Sequence, residues 1–226
     1  MTFAFEKHMA GMERRVVTGT RDGEPTNVLI AGRTYAATAL ELWDALTSVE
    51  RLSRWFLPIS GDLRAGGRYQ FEGNAGGRIE ECVQPRLIRA TWEFGGGVSW
   101  LTLRLEELPD GTRLQLEHEA PLMPGFTEVY GPGATGVGWD GGFLGLALHL
   151  AEPGAEKSSE EVATWHLTEE GRAFYARSAA AWGLADEAAG TPAEAARERA
   201  ENTRAFYTGE TAGMGGGEEG VDGGAG

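Results

Sequence analysis

Residues 130–150 read YGPGATGVGWDGGFLGLALHL, and the fold turns on whether this stretch is a membrane segment, a nucleotide-binding loop or a closely packed helix. Seven glycines and one acid, Asp140, interrupt the apolar run, so it falls short of the roughly 18 to 20 residues that span a bilayer. Gly131-Pro132-Gly133-Ala134-Thr135-Gly136 satisfies GxGxxG literally, but the preceding TEVY is too short for a buried strand and no βαβ unit surrounds it, as dinucleotide binding requires. The remaining reading is a final helix from about 136 to 150. Trp139, Phe143, Leu146 and Leu150 would share one face, with Gly138, Gly142 and Gly145 beside it. Glycines 138, 141, 142 and 145 would together cost about 3 to 4 kcal/mol relative to alanine, so either close packing on a sheet or space left for a ligand must offset them.

The chain before this helix supplies such a sheet. Residues 26–38 (TNVLIAGRTYAAT) read as a first strand after a polar arm. In residues 39–56 Leu42, Trp43, Leu46, Val49 and Leu52 recur at helical spacing, broken near Thr47-Ser48, which predicts two short helices ending before Pro58. From 59 to 120, apolar segments alternate with glycine-rich turns and with Asp110-Gly111, a type I′ hairpin signal. A meander of about five strands follows. Leu114, Leu116 and His118 share one strand face; Ile88, Ala90, Trp92 and Phe94 are in phase, as are Tyr69 and Phe71. Trp100 and Leu103 are out of phase, which a bulge would reconcile.

After residue 150 the punctuation is helical. Ser158 with Glu161, and Thr191 with Pro192 and Glu194, match the capping box. Phe174, Tyr175, Ala179 and Trp182 form one apolar stripe, and Ala196, Ala200, Thr203, Phe206 and Tyr207 a second; both are expected to dock on the main domain or on a second copy. Gly209 would stop the last helix. The expected organisation is a flexible arm over 1–26, a domain over 27–150, a helical extension over 151–208 and a disordered Gly/Glu-rich tail over 209–226.

The net charge of −14 and the absence of a Lys/Arg cluster argue against nucleic acid or anionic lipid as partner. Residues 151–226 hold 15 acids and 6 bases, so the acidity is mostly the extension's. A single cysteine, Cys82, excludes an intramolecular disulfide framework and suits a reducing compartment. MTFAFEKHMAGMERR lacks the apolar run of a secretory signal, and a cytoplasmic protein is expected, without membrane insertion. The histidines at 8, 118, 149 and 166 show no metal-ligand spacing, and neither Gly-x-Ser-x-Gly nor His-Glu-x-x-His occurs. No metal or cofactor is expected. His118, in phase with two leucines, and Tyr69, with its hydroxyl, are the candidate proton-transfer groups. Glu81, in phase with Ile79, would need Arg68 or Arg89 as partner if it turned inward.

The order of one strand, two small helices, a meander and a glycine-bearing helix resembles the helix-grip fold of the START-like (SRPBCC) superfamily, an α+β class with a sheet of about six strands. The branch it is most similar to is named after homologues of the heat-shock-protein-90 ATPase activator. The resemblance rests on WDALT from Trp43, LSRWF from Leu52, DLRAGGRY from Asp62, GRIEE from Gly77, Pro85 to Leu87 with Thr91-Trp92, and GTRL from Gly111 leading to His118. It covers about residues 27–150 and implies a cavity between sheet and long helix. The inward residues would then be Tyr69, Phe71, Trp92, Phe94, Leu114, Leu116, His118, Trp139 and Phe143, with Trp55 and Phe56 at one mouth. Three functions fit the superfamily. They are binding of a hydrophobic small molecule (lipid, polyketide or aromatic), a polyketide cyclase-like enzyme using His118 or Tyr69, and a co-chaperone-like interaction module, with a homodimer or protein partner bound through residues 158–208.

Overall fold

The computed structural model describes residues 5–154 and 164–210. After a short helix α1 (Phe5–Ala10), strands β1 (Glu13–Arg21) and β2 (Glu24–Tyr35) lead to α2 (Ala39–Thr47) and α3 (Val49–Trp55). Six strands follow: β3 (Ile59–Gly61), β4 (Arg68–Phe71), β5 (Gly76–Val83), β6 (Leu87–Phe94), β7 (Gly97–Leu108) and β8 (Gly111–Pro121). The chain then forms α4 (Phe126–Tyr130), α5 (Gly133–Ala151), a 3-10 turn (Trp165–Leu167), α6 (Glu169–Ala188) and α7 (Ala193–Tyr207). All neighbours in the sheet are antiparallel, in the order β1-β2-β8-β7-β6-β5-β4-β3.

The α+β helix-grip reading holds, with eight strands where the sequence suggested about six. The largest difference is β1. It lies in the segment expected to be a flexible arm, yet pairs residue for residue with β2. Asp22 and Gly23 both have positive φ, 53° and 87°, and join Arg21 to Glu24 as the two-residue I′ turn that matches strand twist. By contrast, Leu108 pairs with Gly111, so the β7–β8 turn is centred on Pro109-Asp110; proline's fixed φ suits its first central position.

The bulge expected near Trp100 lies instead in β5, between Ile79 and Glu81. It turns Glu81 outward, where Arg89 pairs with it at 3.0 Å. β7 is regular: Leu101, Leu103 and Leu105 face the helix side, while Trp100 lies on the other face with the Arg21 guanidinium 4.0 Å above its ring. Side-chain caps set the small helices: Thr38 accepts from the Glu41 amide and Ser48 from that of Arg51. The expected Thr191 cap does not form. Pro192 is itself the N-cap of α7, and the Thr191 hydroxyl donates to Asp186 at 2.8 Å. Gly209, with φ 72°, lies just past the end of α7, as expected. The Ser158–Glu161 capping box and residues 211–226 of the expected tail lie outside the described residues.

Helix α5 crosses the concave face of the sheet with Phe143 and Leu146 buried beneath it. Its other side is covered by α6 and α7, so both apolar stripes of the extension dock within the chain: Phe174, Ala179, Trp182, Ala196 and Thr203 are almost fully buried. Asp140 joins these layers. Its Oδ2 accepts from Arg14 Nε of β1 at 2.8 Å, Ser178 Oγ at 2.5 Å and Trp182 Nε1 at 3.2 Å. Burial pushes the carboxyl above its usual range, opposed by Arg14 and the two neutral donors. Two glycines explain the close packing that the sequence demanded. A Cβ on Gly136 would fall inside the Trp182 indole, and one on Gly145 would lie 2.6 Å from the Trp55 carbonyl oxygen. α3 is pinned to α5 at that contact and through Arg51 Nε, which donates to His149 Nε2 at 3.0 Å.

Candidate functional site

Between the concave face, α2–α3 and α5 lies a cavity of about 150 Å³. Strand alternation supplies most of its walls: Tyr69 and Phe71 from β4, Ile88, Ala90 and Trp92 from β6, Leu101 and Leu103 from β7, Leu114 and Leu116 from β8. Trp139, Gly142, Phe143 and Leu146 close it from α5; Leu46, Thr47, Leu52, Trp55 and Phe56 close it from α2–α3 and the residue after them. The aromatic walls contact one another: Phe56 stacks on Trp139 (6.2 Å, 11°), packs edge-on to Phe71 (5.0 Å), and Trp92 packs edge-on to Trp139 (5.1 Å).

Nine of the residues expected to line the cavity do so: Trp55, Phe56, Tyr69, Phe71, Trp92, Leu114, Leu116, Trp139 and Phe143. Two do not. Phe94 shares the phase of Trp92 but is 61 % exposed, because β6 runs past the ground that α5 covers. His118 is buried, yet stands beside the cavity rather than in its wall. Cys82 was not expected there; the β5 bulge brings its exposed side chain into line with Ile79 at the cavity's edge. Leu101 and Leu103 were hidden in sequence by the ambiguous phase around Trp100.

Four polar side-chain atoms of the walls are engaged elsewhere. Tyr69 Oη donates to the Thr91 carbonyl at 2.7 Å, Trp55 Nε1 to that of Ala45 at 2.9 Å and Thr47 Oγ1 to that of Trp43 at 2.8 Å. Trp139 Nε1 donates to His118 Nδ1 at 2.9 Å. With Nδ1 accepting, the imidazole proton sits on Nε2, 2.7 Å from Ser99 Oγ, and Ser99 donates on to the Trp92 carbonyl at 3.2 Å. Burial pushes His118 down to about 4 and raises Tyr69, so both are neutral at pH 7 and both are committed to protein partners. Cys82 is raised by burial as well. The cavity therefore offers a ligand mainly shape and dispersion, with no charged group in its walls. Among the described residues no group of His, Cys, Asp or Glu could hold a metal ion, and no helix is long and apolar enough to cross a membrane.

Comparison with known proteins agrees with this geometry. The family described as Activator of Hsp90 ATPase homolog 1-like protein matches residues 36–141. The crystal structure of CalU16 from Micromonospora echinospora is 32 % identical, covering 74 % of this chain and 98 % of its own, with a TM-score of 0.56. Its solution structure gives 30 % identity, 79 % and 96 % coverage and a TM-score of 0.60. DynU16, from the dynemicin biosynthetic locus, shares the fold at 20 % identity, with 56 % and 48 % coverage and a TM-score of 0.50. No curated protein sequence matches the chain. From the matched profile, the CalU16 likeness over nearly all of that protein and the helix-grip architecture, the chain belongs to the Activator of Hsp90 ATPase homolog 1-like family of the START-like superfamily.

Proposed function

We propose that this protein binds a small apolar molecule, the size of one aromatic ring in the conformation described, between the sheet and α5. The observation that carries this reading is the cavity of about 150 Å³ whose walls are almost wholly aliphatic and aromatic, with the Tyr69, Trp55, Thr47 and Trp139 polar atoms already paired. A void of about that size lined by aliphatic and aromatic groups stays dry and takes up benzene, since a water needs two to four polar partners that such walls do not supply. Two features count against proton transfer by the candidate groups: both ring nitrogens of His118 are engaged, and the Tyr69 hydroxyl is turned to a backbone carbonyl. The interaction-module reading loses its main support as well, because the apolar stripes of the extension are spent within the chain, on α5, on α1 and on each other.

The test is calorimetric titration with single-ring apolar compounds. A Cβ on Gly142 would stand 3.7 Å from the Phe56 ring and 3.9 Å from Trp139, an ordinary contact distance. Gly142→Ala should therefore fold at least as stably and bind the ring about fourfold more weakly, the equivalent of one displaced methylene. Failure of every compound to bind wild-type protein would overturn the proposal.

A further inference from the structure

We propose that the Trp139 indole, positioned by His118, is an end wall that limits how long a ligand the cavity accepts. This rests on the cavity being the ligand site. The argument follows each element along its length. On β6 the cavity wall runs Ile88, Ala90, Trp92, and the next residue in phase, Phe94, is 61 % exposed. On β8 it runs Leu114, Leu116 and stops at His118; on β7 it runs Leu103, Leu101 and stops at Ser99. Register sets Ser99 beside Trp92 and His118 beside Leu101, while Trp139 is the first wall residue of α5. Trp92 and Ser99 share a row; His118 stands one in-phase step back, in the row of Leu101, and reaches forward to Ser99 and Trp139, so the four side chains meet at this end, and beyond them the concave face continues toward Phe94.

This end is cross-linked. Trp139 donates to His118, His118 meets Ser99 and Ser99 donates to the Trp92 carbonyl, which ties α5 to three strands. The half-buried Trp139 indole N–H has His118 Nδ1 as its acceptor, so His118 fixes the ring across the cavity's end without lining it. At the opposite end the wall includes Cys82, whose side chain is exposed. A ligand can approach from there and extend until it meets the indole.

The experiment titrates the full chain with alkylbenzenes from benzene to hexylbenzene. In wild type, affinity should rise about fourfold per added methylene until the tail reaches the indole, and then stop rising. Trp139→Leu should move that break point outward by about two methylenes; Trp139→Phe is the substitute should the leucine variant fail to fold. His118→Leu, which removes the acceptor, should also shift the break point outward. His118→Gln, whose amide oxygen can accept the indole proton, should restore it, a rescue that mere core filling would not produce. A wild-type break point that stays put in both Trp139 variants overturns the end wall alone. A wild-type protein that binds no member of the series overturns the ligand site along with it.

Discussion

Alanine substitutions at four glycines of α5 test whether tertiary clearance, rather than helix propensity, explains why this helix carries them. Each Gly→Ala change in a helix interior gains about 1 kcal/mol from propensity alone. At Gly141 a Cβ would meet nothing within 4 Å, so the full gain should appear, raising Tm by about 2–4 °C for a chain of this length. Gly142 should behave likewise. At Gly145 the methyl would lie 2.6 Å from the Trp55 carbonyl oxygen, and at Gly136 it would overlap the indole of Trp182. That indole is fully buried and hydrogen-bonded to Asp140, so it cannot swing aside. Overpacking of this kind costs about 1–3 kcal/mol, which leaves both variants less stable than wild type by up to about 2 kcal/mol after the propensity gain. The assay is urea denaturation at constant m-value. Four chemically identical substitutions on one helix should split into two stabilising and two destabilising variants, and shifts of one sign in all four would refute the reasoning.

Asp140→Asn should cost about 3–5 kcal/mol, because it strips a buried arginine, Arg14, of its counter-charge; pairing it with Arg14→Met should recover part of that loss. A double-mutant cycle by chemical denaturation measures the coupling, and strict additivity would show that the pair does not interact. Stability should fall on acidification. His118 has a folded-state value of about 4 against 6.5 unfolded, so its contribution is complete above pH 6.5 and is lost as pH falls through 4, about 3 kcal/mol in all. Urea midpoints between pH 7 and pH 4 check this, and His118→Gln should flatten part of the slope. His8, pushed down to about 3 by burial and by Arg33 and Arg14, should keep the remainder. Finally, Cys82, the chain's single cysteine, should react slowly with a thiol reagent and more slowly still with the cavity filled; an unaltered rate under saturating ligand would put the ligand elsewhere.

Much of this architecture was legible locally. Alternation in Leu114, Leu116 and His118 assigned the inner face of β8, the break in helical spacing near Thr47-Ser48 divided α2 from α3, and the glycine-bearing run around Asp140 announced a helix needing close neighbours. The Asp22-Gly23 signal for β1 was present too. It stands without support because β1 is an edge strand with mostly exposed side chains, so the alternation that usually accompanies such a turn is faint. Other features have no local signature. The side taken by Trp100 follows from its register with Glu119 and from Arg21, and Asp140 is held by Arg14, 126 residues away. Phe94 shows the limit most plainly. Side-chain period reports which face of a sheet a residue occupies, but not how far along the strand the covering helix reaches. Phe94 is therefore in phase with the cavity yet outside it, and only the packing of α5 against the sheet put the boundary at Trp92 and Trp139.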